Sequence, residues 1–313
     1  MLNRRYIRIK VLQALYSFFH DDDKNMERKE KELLKSIGNI YELYIYLLLL
    51  FKEIRRTSDR LFEERKKKKL PTPQDINPNR KFVDCALLQK IDSSPALAKE
   101  KNRLKLGWTE EEDPLVKELY AKITALPQYA DFIEQTDNSF EKEKKFMVTL
   151  YKKLISENES LKQHLFESNI HWASDYMLAN ISVVKTIEAC TEKDDLPLLP
   201  IYKADDDRDF MLELFRKTIL SDTENIKLIT DKISNWEPDR IAAMDYILMK
   251  MAITEVMNFP GIPFKVSLNE YIEISKLFSS PKSNNFINGI LDAIVKDLKK
   301  NNKVQKAGRG LIE

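Results

Sequence analysis

Hydrophobic residues recur at helical spacing along most of the chain, and no stretch alternates apolar and polar residues long enough to predict a sheet. In the helix predicted over 3–20, Ile7, Val11 and Phe18 fall on one face when each residue turns by about 100°. The pattern therefore predicts an all-α fold. The other predicted helices cover 25–68, 80–91, 110–125, 139–156, 159–190, 208–220, 222–235, 238–257, 267–278 and 282–299.

Two local signals define the helices nearest the C-terminus. Ser267 and Glu270 are spaced as a capping box, with Ser267 as the N-cap and Glu270 at N3. Ser280 followed by Pro281 is typical of the start of a helix. Gly289 lies inside that last helix, where glycine costs about 1 kcal/mol relative to alanine, so we expect another backbone or a ligand to approach it closely. The predicted core stripe of the last helix is Ile287, Leu291, Ile294 and Leu298.

Composition excludes several classes of protein. Only 6 of the 313 residues are glycine, and phosphate-cradling loops and tight hairpins need glycine at positive φ. A Rossmann enzyme, a P-loop NTPase and a β-barrel are therefore poorly supported. The 3 histidines and 2 cysteines have no metal-ligand spacing, and neither cysteine has a nearby histidine that would mark a nucleophile. We expect no catalytic site, no metal and no cofactor.

The net charge is only +2, so the distribution of charge is more informative than its sum. Residues 1–20 contain Arg4, Arg5 and Arg8 but no acidic residue, and Tyr16 follows on the same side of the helix. Arginine matches phosphate oxygens in pairs of hydrogen bonds, and aromatic rings stack on unpaired bases, so this helix is a candidate RNA-binding surface. The basic run 65–69 is interpreted as the solvated end of a helix.

The sequence also predicts where the protein works. Cys85 and Cys190 lie far apart, as is typical of a reducing cytosol. The N-terminus lacks the features of a signal peptide. The longest apolar run, Leu43–Phe51, is about half a membrane span and is interrupted by Tyr44 and Tyr46. We interpret the run as a buried helix of a cytoplasmic protein without a membrane segment.

Four segments resemble the NusB family of bacterial transcription factors, in the family's order. Residues 4–17 are similar to its arginine-rich opening helix, and residues 239–257 to its central helix. Residues 262–276 resemble its Pro-x-x-Val-x-x-Asn-Glu motif. Residues 286–292, Phe-Ile-Asn-Gly-Ile-Leu-Asp, match its Phe-Val-Asn-Gly-Val-Leu-Asp signature.

The resemblance covers 1–20 and 208–299, which we expect to form the NusB-like helical domain. It implies a fold of two three-helix bundles, here with a large helical insertion, 21–207, after the first helix. The insertion has no recognisable counterpart, and its role and the oligomeric state are open. The remaining residues, 300–313, are predicted to form a basic tail that is solvated or disordered.

The resemblance also implies a function. Members of the family bind the boxA element of ribosomal RNA leader transcripts as single-stranded RNA, together with the ribosomal protein called NusE. The complex acts on RNA polymerase to suppress termination. Matching positions imply contacts with RNA for Arg4, Arg5, Arg8, Tyr16, Asn285 and Phe286. Positions on the side that faces NusE are Asp245, Phe264 and Glu270.

Some alternatives stay open in the sequence. Glu270 is equally suited to the capping box, and Phe286 either stacks on a base or packs near Tyr16. Certain RNA methyltransferases carry a NusB-like domain, but they also need a glycine-rich α/β domain, and Gly107 is the only glycine between Gly38 and Gly261. A protein-interaction scaffold that has lost RNA binding is the other rival.

Overall fold

The computed structural model describes residues 1–136, 139–233 and 241–311. Within these ranges every regular element is a helix, and the one β-bridge, between Leu2 and Tyr202, is isolated. The predicted all-α fold is confirmed for this part of the chain. The helices are α1 (Arg4–His20), α2 (Met26–Lys66), α3 (Pro73–Ile76), α4 (Ala86–Ser93), α5 (Pro95–Leu104), α6 (Asp113–Thr124), α7 (Pro127–Glu134), α8 (Phe140–Leu150), α9 (Glu159–Ser168), α10 (Trp172–Ala189), α11 (Asp207–Leu220), α12 (Asp222–Thr230), α13 (Ala243–Asn258), α14 (Phe264–Phe278) and α15 (Pro281–Lys300).

The predicted helix boundaries differ from the structure in identifiable places. The helix expected over 159–190 is two helices, α9 and α10. The Asn169 side chain accepts a hydrogen bond from the His171 backbone N–H, a local bond that competes with helix continuation. Three short helices that were not predicted, α3, α5 and α7, each begin with a proline that is pre-set for the first helical turn. The helix predicted over 238–257 begins partly outside the described residues.

The chain divides into two compact units. The terminal unit comprises Leu2–Ser36 and Tyr202–Glu313, and the middle unit comprises Met1 and Ile37–Ile201. Helix α2 contributes its first residues to the terminal unit and the remainder to the middle unit. The expected insertion bounds of 21–207, and the division of the NusB-like part into two three-helix bundles, stay predictions.

The core of the middle unit is built around the apolar run of α2. Every residue of Leu43–Phe51 is buried, as predicted, and the run packs with apolar residues of the later helices. By length and composition α2 is the one described helix apolar enough to cross a membrane, but 72% of its apolar window is buried inside the protein. The two tyrosines that interrupt the run are buried as well, and the Tyr44 hydroxyl shares a 2.6 Å hydrogen bond with Thr186.

The described residues of the middle unit bear on the methyltransferase alternative and on the two cysteines. Its described residues form helices and loops, so they contain no α/β cofactor domain of the kind that the methyltransferase alternative requires. Burial raises the pKa of the Cys85 thiol to about 12 and that of Cys190 to about 11, which disfavours the nucleophilic thiolate. Among described residues, no group of three His, Cys, Asp or Glu is placed to hold a metal ion.

The terminal unit is centred on α13. This helix is buried on nearly all sides and packs against α1, α11, α12, α14 and α15. Helix α1 also packs against α11 and α14, so three helices from the second half of the chain surround the N-terminal helix. The predicted core stripe of α15, from Ile287 to Leu298, is buried, and Ser280 caps that helix with Pro281 at its start, as expected.

Most described residues of the tail after α15 are exposed, as predicted, but the tail also makes contacts that were not expected. It folds back onto the loop that follows α13, where the Ala307 backbone N–H donates to the Pro260 carbonyl at 3.1 Å. Lys306 Nζ donates to the carbonyl oxygens of Val256 and Phe259 at 3.0 and 3.1 Å. These carbonyls lie at the C-terminal end of a helix, which favours a cation. The described part of the tail is therefore docked.

The division into two units predicts which segment can be removed without unfolding the terminal unit. Residues 21–36 belong to the terminal unit, where Lys29 Nζ contacts Asp21 at 2.9 Å and Ser17 at 2.8 Å, and Arg216 pairs with Glu30. Replacing 37–201 with a short flexible linker should therefore leave a unit that melts cooperatively. Replacing 21–207 removes these contacts and should lower the melting temperature, measured by circular dichroism. Loss of cooperative melting in the first variant would show that the terminal unit depends on the middle one.

Candidate nucleic-acid interface

Helix α1 brings Arg4 and Arg5 to the surface of the terminal unit. Their side chains are 34% and 42% exposed. Arg4 donates through Nη2 to Asp206 at 2.7 Å and through Nε to Asp207 at 3.1 Å. Arg5 donates through Nε and Nη2 to the two carboxylate oxygens of Glu270, both at 2.8 Å. Both guanidinium groups are thus oriented by acids and remain partly open to solvent.

Arg8 lies in the interior, with its side chain 2% exposed. Its Nε and Nη2 donate to the two carboxylate oxygens of Glu255 on α13, each at 2.7 Å. The same carboxylate accepts the Ser267 hydroxyl at 2.7 Å and the Tyr271 hydroxyl at 3.0 Å. Burial raises the pKa of Tyr271 well above its ordinary value, so that phenol stays a donor. The four hydrogen bonds satisfy a carboxylate that is fully buried.

This arrangement corrects the prediction for the three arginines. They were expected to share one exposed face with no acid nearby. Instead, each pairs with an acidic residue of α13, of α14 or of the start of α11. Arg8 was expected to hold an RNA phosphate, and in this structure its guanidinium is enclosed and neutralised by Glu255. Arg4 and Arg5, about one turn earlier, stay partly exposed.

The capping-box prediction is also wrong. Helix α14 begins at Phe264 with Pro263 as its N-cap, so Ser267 and Glu270 lie inside the helix. Both side chains make tertiary contacts instead, Ser267 with Glu255 and Glu270 with Arg5. The hydrogen bond from Arg5 holds the pKa of Glu270 below its usual range.

The other residues expected on the RNA path lie on α1 and α15. Tyr16 is exposed on α1, and its ring stacks on His20 with centroids 4.1 Å apart. Asn285 is exposed near the start of α15, whereas Phe286 is half-buried and lies outside the buried core stripe. These placements leave the proposed contacts with RNA as predictions.

An open cavity of about 800 Å³ adjoins the exposed arginines. Its wall includes Arg4, Arg5 and Glu270, together with two cations that the sequence did not single out, Lys265 and Arg309. Both of these side chains are exposed, and neither is in an ion pair with another described residue. Even with Arg8 neutralised by its buried partner, the cavity wall has more positive than negative groups, because Lys265 and Arg309 add to Arg4 and Arg5 and Glu270 is its one acid.

Comparison with known proteins agrees with three of the four motifs, those at 239–257, 262–276 and 286–292. The NusB family model matches residues 181–296. The transcription antitermination protein NusB of Salinibacter ruber (strain DSM 13855 / M31) is 40% identical over 142 residues, which are 43% of this chain and 89% of that protein. The NusB proteins of Chloroherpeton thalassium (strain ATCC 35110 / GB-78) and Koribacter versatilis (strain Ellin345) are 39% and 40% identical, over 50% and 62% of their lengths and 34% and 29% of this chain. No solved structure matches significantly.

The chain belongs to the NusB family. It is longer than the NusB proteins that it matches. The predicted resemblance to this family is confirmed, and the similarity of 4–17 to the family's opening helix stays a prediction. The relatives named above are transcription antitermination proteins.

The NusB-like positions expected to face a protein partner are less accessible than their sequence suggests. Asp245 is 3% exposed, and one of its carboxylate oxygens has no hydrogen-bond partner among the described residues, which exclude 234–240. Phe264 is half-buried beneath the ammonium groups of Lys299 and Lys306, 4.4 and 4.7 Å from its ring centre. Glu270 is engaged with Arg5. Their role in partner binding stays a prediction.

Gly289, within the NusB signature, does not have the protein neighbour that we expected. It is exposed on α15, and no atom of the chain lies within 4 Å of the position where a Cβ would be. The cost of a glycine inside a helix is therefore not offset by packing against the described structure.

The buried carboxylate gives a stability prediction. Glu255→Gln keeps the side-chain volume but leaves the Arg8 charge without its counter-ion, so we expect the free energy of unfolding to fall by about 3–5 kcal/mol. Urea denaturation measures this loss. Glu270→Gln, which removes the half-buried acid on the neighbouring helix, should cost clearly less. Equal losses would contradict a dominant role for the buried pair.

The effect of Glu270→Gln on stability should depend on pH. The pKa of Glu270 is lower in the folded state than in the unfolded state. The stability that its charged form contributes is therefore fully present above the unfolded-state pKa, and it is lost as the pH falls through the folded-state pKa. The stability difference between the wild type and Glu270→Gln should therefore shrink on acidification.

Proposed function

We propose that this protein is a cytoplasmic transcription antitermination factor without enzymatic activity. Its terminal unit binds boxA-type single-stranded RNA of ribosomal RNA leader transcripts, together with ribosomal protein NusE, within the RNA polymerase antitermination complex. Membership of the NusB family supports the process. The observation that carries RNA binding is the pair of partly exposed arginines, Arg4 and Arg5, beside a predominantly cationic cavity.

The acidic partners leave these arginines able to bind phosphate. A guanidinium has five N–H donors in a planar fork. Arg4 and Arg5 each use Nε and Nη2 for their carboxylates, which leaves Nη1 for a ligand. The carboxylates hold both forks in place, so less side-chain entropy is lost when a phosphate binds.

Base contacts are proposed for the residues beyond the arginines. The exposed ring of Tyr16 lies three turns along α1 and offers a stacking surface. On α15, Asn285 is available for a hydrogen bond, and Phe286 is proposed to line the same path. The open space around Gly289, one turn further on, would let an RNA strand approach the helix backbone.

The face around Phe264 and Glu270 is proposed to receive NusE, with Asp245 in support. One alternative would replace part of this account. A scaffold without RNA binding predicts no affinity for boxA-type RNA with or without NusE.

The arginine proposal is tested by the salt dependence of RNA binding. Changing both Arg4 and Arg5 to Gln should reduce the slope of log affinity against log salt by about 1.4, since each phosphate contact on a single strand contributes about 0.7. Fluorescence anisotropy with a labelled boxA-type RNA measures the slope.

Arg216→Gln is the matched control for that measurement. Arg216 donates two hydrogen bonds to the carboxylate of Glu30, as Arg5 does to Glu270, but it does not line the cavity. It should leave the slope unchanged. If the double variant also keeps the wild-type slope, this end of α1 does not contact RNA.

Gly289→Ala should change stability and affinity in opposite directions. Alanine is better than glycine inside a helix by about 1 kcal/mol, and its methyl group meets no protein atom, so the melting temperature should rise. The same methyl group would hinder a strand that approaches the α15 backbone, so RNA affinity should fall. A more stable variant with unchanged affinity would remove this position from the RNA path.

A further inference from the structure

Two glycines allow the C-terminal tail to pack closely against the loop after α13. Gly310 is buried, and a Cβ at this position would lie 1.9 Å from the Pro260 carbonyl oxygen, a distance that no side chain can tolerate. Gly308 has a φ of +56°, in the left-handed region that favours glycine. The two glycines therefore fit this chain segment to the loop after α13, and we call residues 306–310 the strap.

Lys306 and Arg309, the two cations of the strap, have different surroundings. Lys306 is committed to the carbonyl oxygens of Val256 and Phe259, and burial lowers its pKa to about 8. Arg309 is exposed, and none of its side-chain nitrogens forms an ion pair or hydrogen bond with another described residue. Since guanidinium keeps its charge at every physiological pH, Arg309 is a fixed, available cation.

The docked strap determines where that cation lies. Arg309 lines the cationic cavity together with Arg4, Arg5 and Lys265. It also lines an adjoining cavity of about 830 Å³, whose other side is acidic and includes Asp206 and Asp209. Repulsion from the acidic side would direct a polyanion toward the cationic side, between the strap and the start of α14.

We propose that the strap completes a binding site for an RNA backbone, in which Arg309 and Lys265 hold phosphates beside those held by Arg4 and Arg5. This inference rests on the proposed function, because it adds residues to the same RNA site. The strap residues make backbone and phosphate contacts and read no bases, so they strengthen binding to any single strand that enters the cavity.

The test compares four forms of the full chain: the wild type, Arg309→Gln, Lys303→Gln and Gly310→Ala. Lys303 is exposed in the same tail but does not line the cavity, so its variant makes the same charge change elsewhere. Binding is measured by anisotropy with labelled boxA-type RNA and with polyuridine of the same length, across a salt series. Melting temperatures are recorded for every form.

Arg309→Gln should weaken binding of both RNAs about fivefold at 0.1 M salt and reduce the salt slope by about 0.7, the contribution of one phosphate contact. Lys303→Gln should match the wild type. Gly310→Ala keeps every charge but displaces the strap, so it should reproduce the Arg309→Gln loss while its melting temperature stays close to that of the wild type.

Three results would overturn the proposal, and they distinguish its failure from that of the proposed function. If the wild type binds RNA through Arg4 and Arg5, but Arg309→Gln and Gly310→Ala bind as well as the wild type, the strap proposal is overturned and the proposed function stands. If the wild type binds neither RNA, both are overturned. A loss with Lys303→Gln equal to that with Arg309→Gln would also overturn the proposal, since it would show a diffuse effect of tail charge.

Discussion

The buried ion pair between Arg8 and Glu255 is the constraint on which the terminal unit depends. A guanidinium and a carboxylate are costly to take out of water, and the cost is offset only when their hydrogen bonds are complete. Here the carboxylate receives four, from Arg8, Ser267 and Tyr271. These residues belong to α1, α13 and α14, so the polar cluster fixes the relative position of the three helices.

That fixed position determines what the N-terminal helix shows to solvent. The third arginine is held inside, whereas Arg4 and Arg5 are partly exposed beside Lys265 and Arg309. Glu270 connects the two environments, because it bonds Arg5 and its Oε2 also lies 3.9 Å from Nη1 of Arg8. Two partly exposed arginines and one buried arginine thus lie within about one turn of the same helix.

Hydrophobic periodicity predicted most of the helices because each one buries a stripe that is local in sequence. The buried run Leu43–Phe51 and the core stripe of α15 are examples. The partners of the arginines could not be predicted in this way, because Arg4 and Asp207 are 203 residues apart and Arg5 and Glu270 are 265 apart. Because only the acidic residues within 1–20 were considered, the arginines were wrongly expected to have no acidic neighbours.

Two other errors have the same physical origin. Ser267 and Glu270 have capping-box spacing, but their side chains do not cap the helix. They form hydrogen bonds with Glu255 and Arg5, which are distant in the sequence. The tail is basic and short, yet its glycines allow close contact with a loop about 50 residues earlier. The glycines were visible in the sequence, whereas the surface that they fit was not.

The most direct test of the central claim is a map of where RNA lies on the full chain. We would crosslink a boxA-type RNA carrying 4-thiouridine to the protein and identify the modified peptides by mass spectrometry, with NusE present and absent. The predicted crosslinks lie in the first turns of α1, around 285–289 and in the strap. Crosslinks confined to 37–201 would contradict the claim, because they would place the RNA on the middle unit and leave the terminal arginines with a structural role alone.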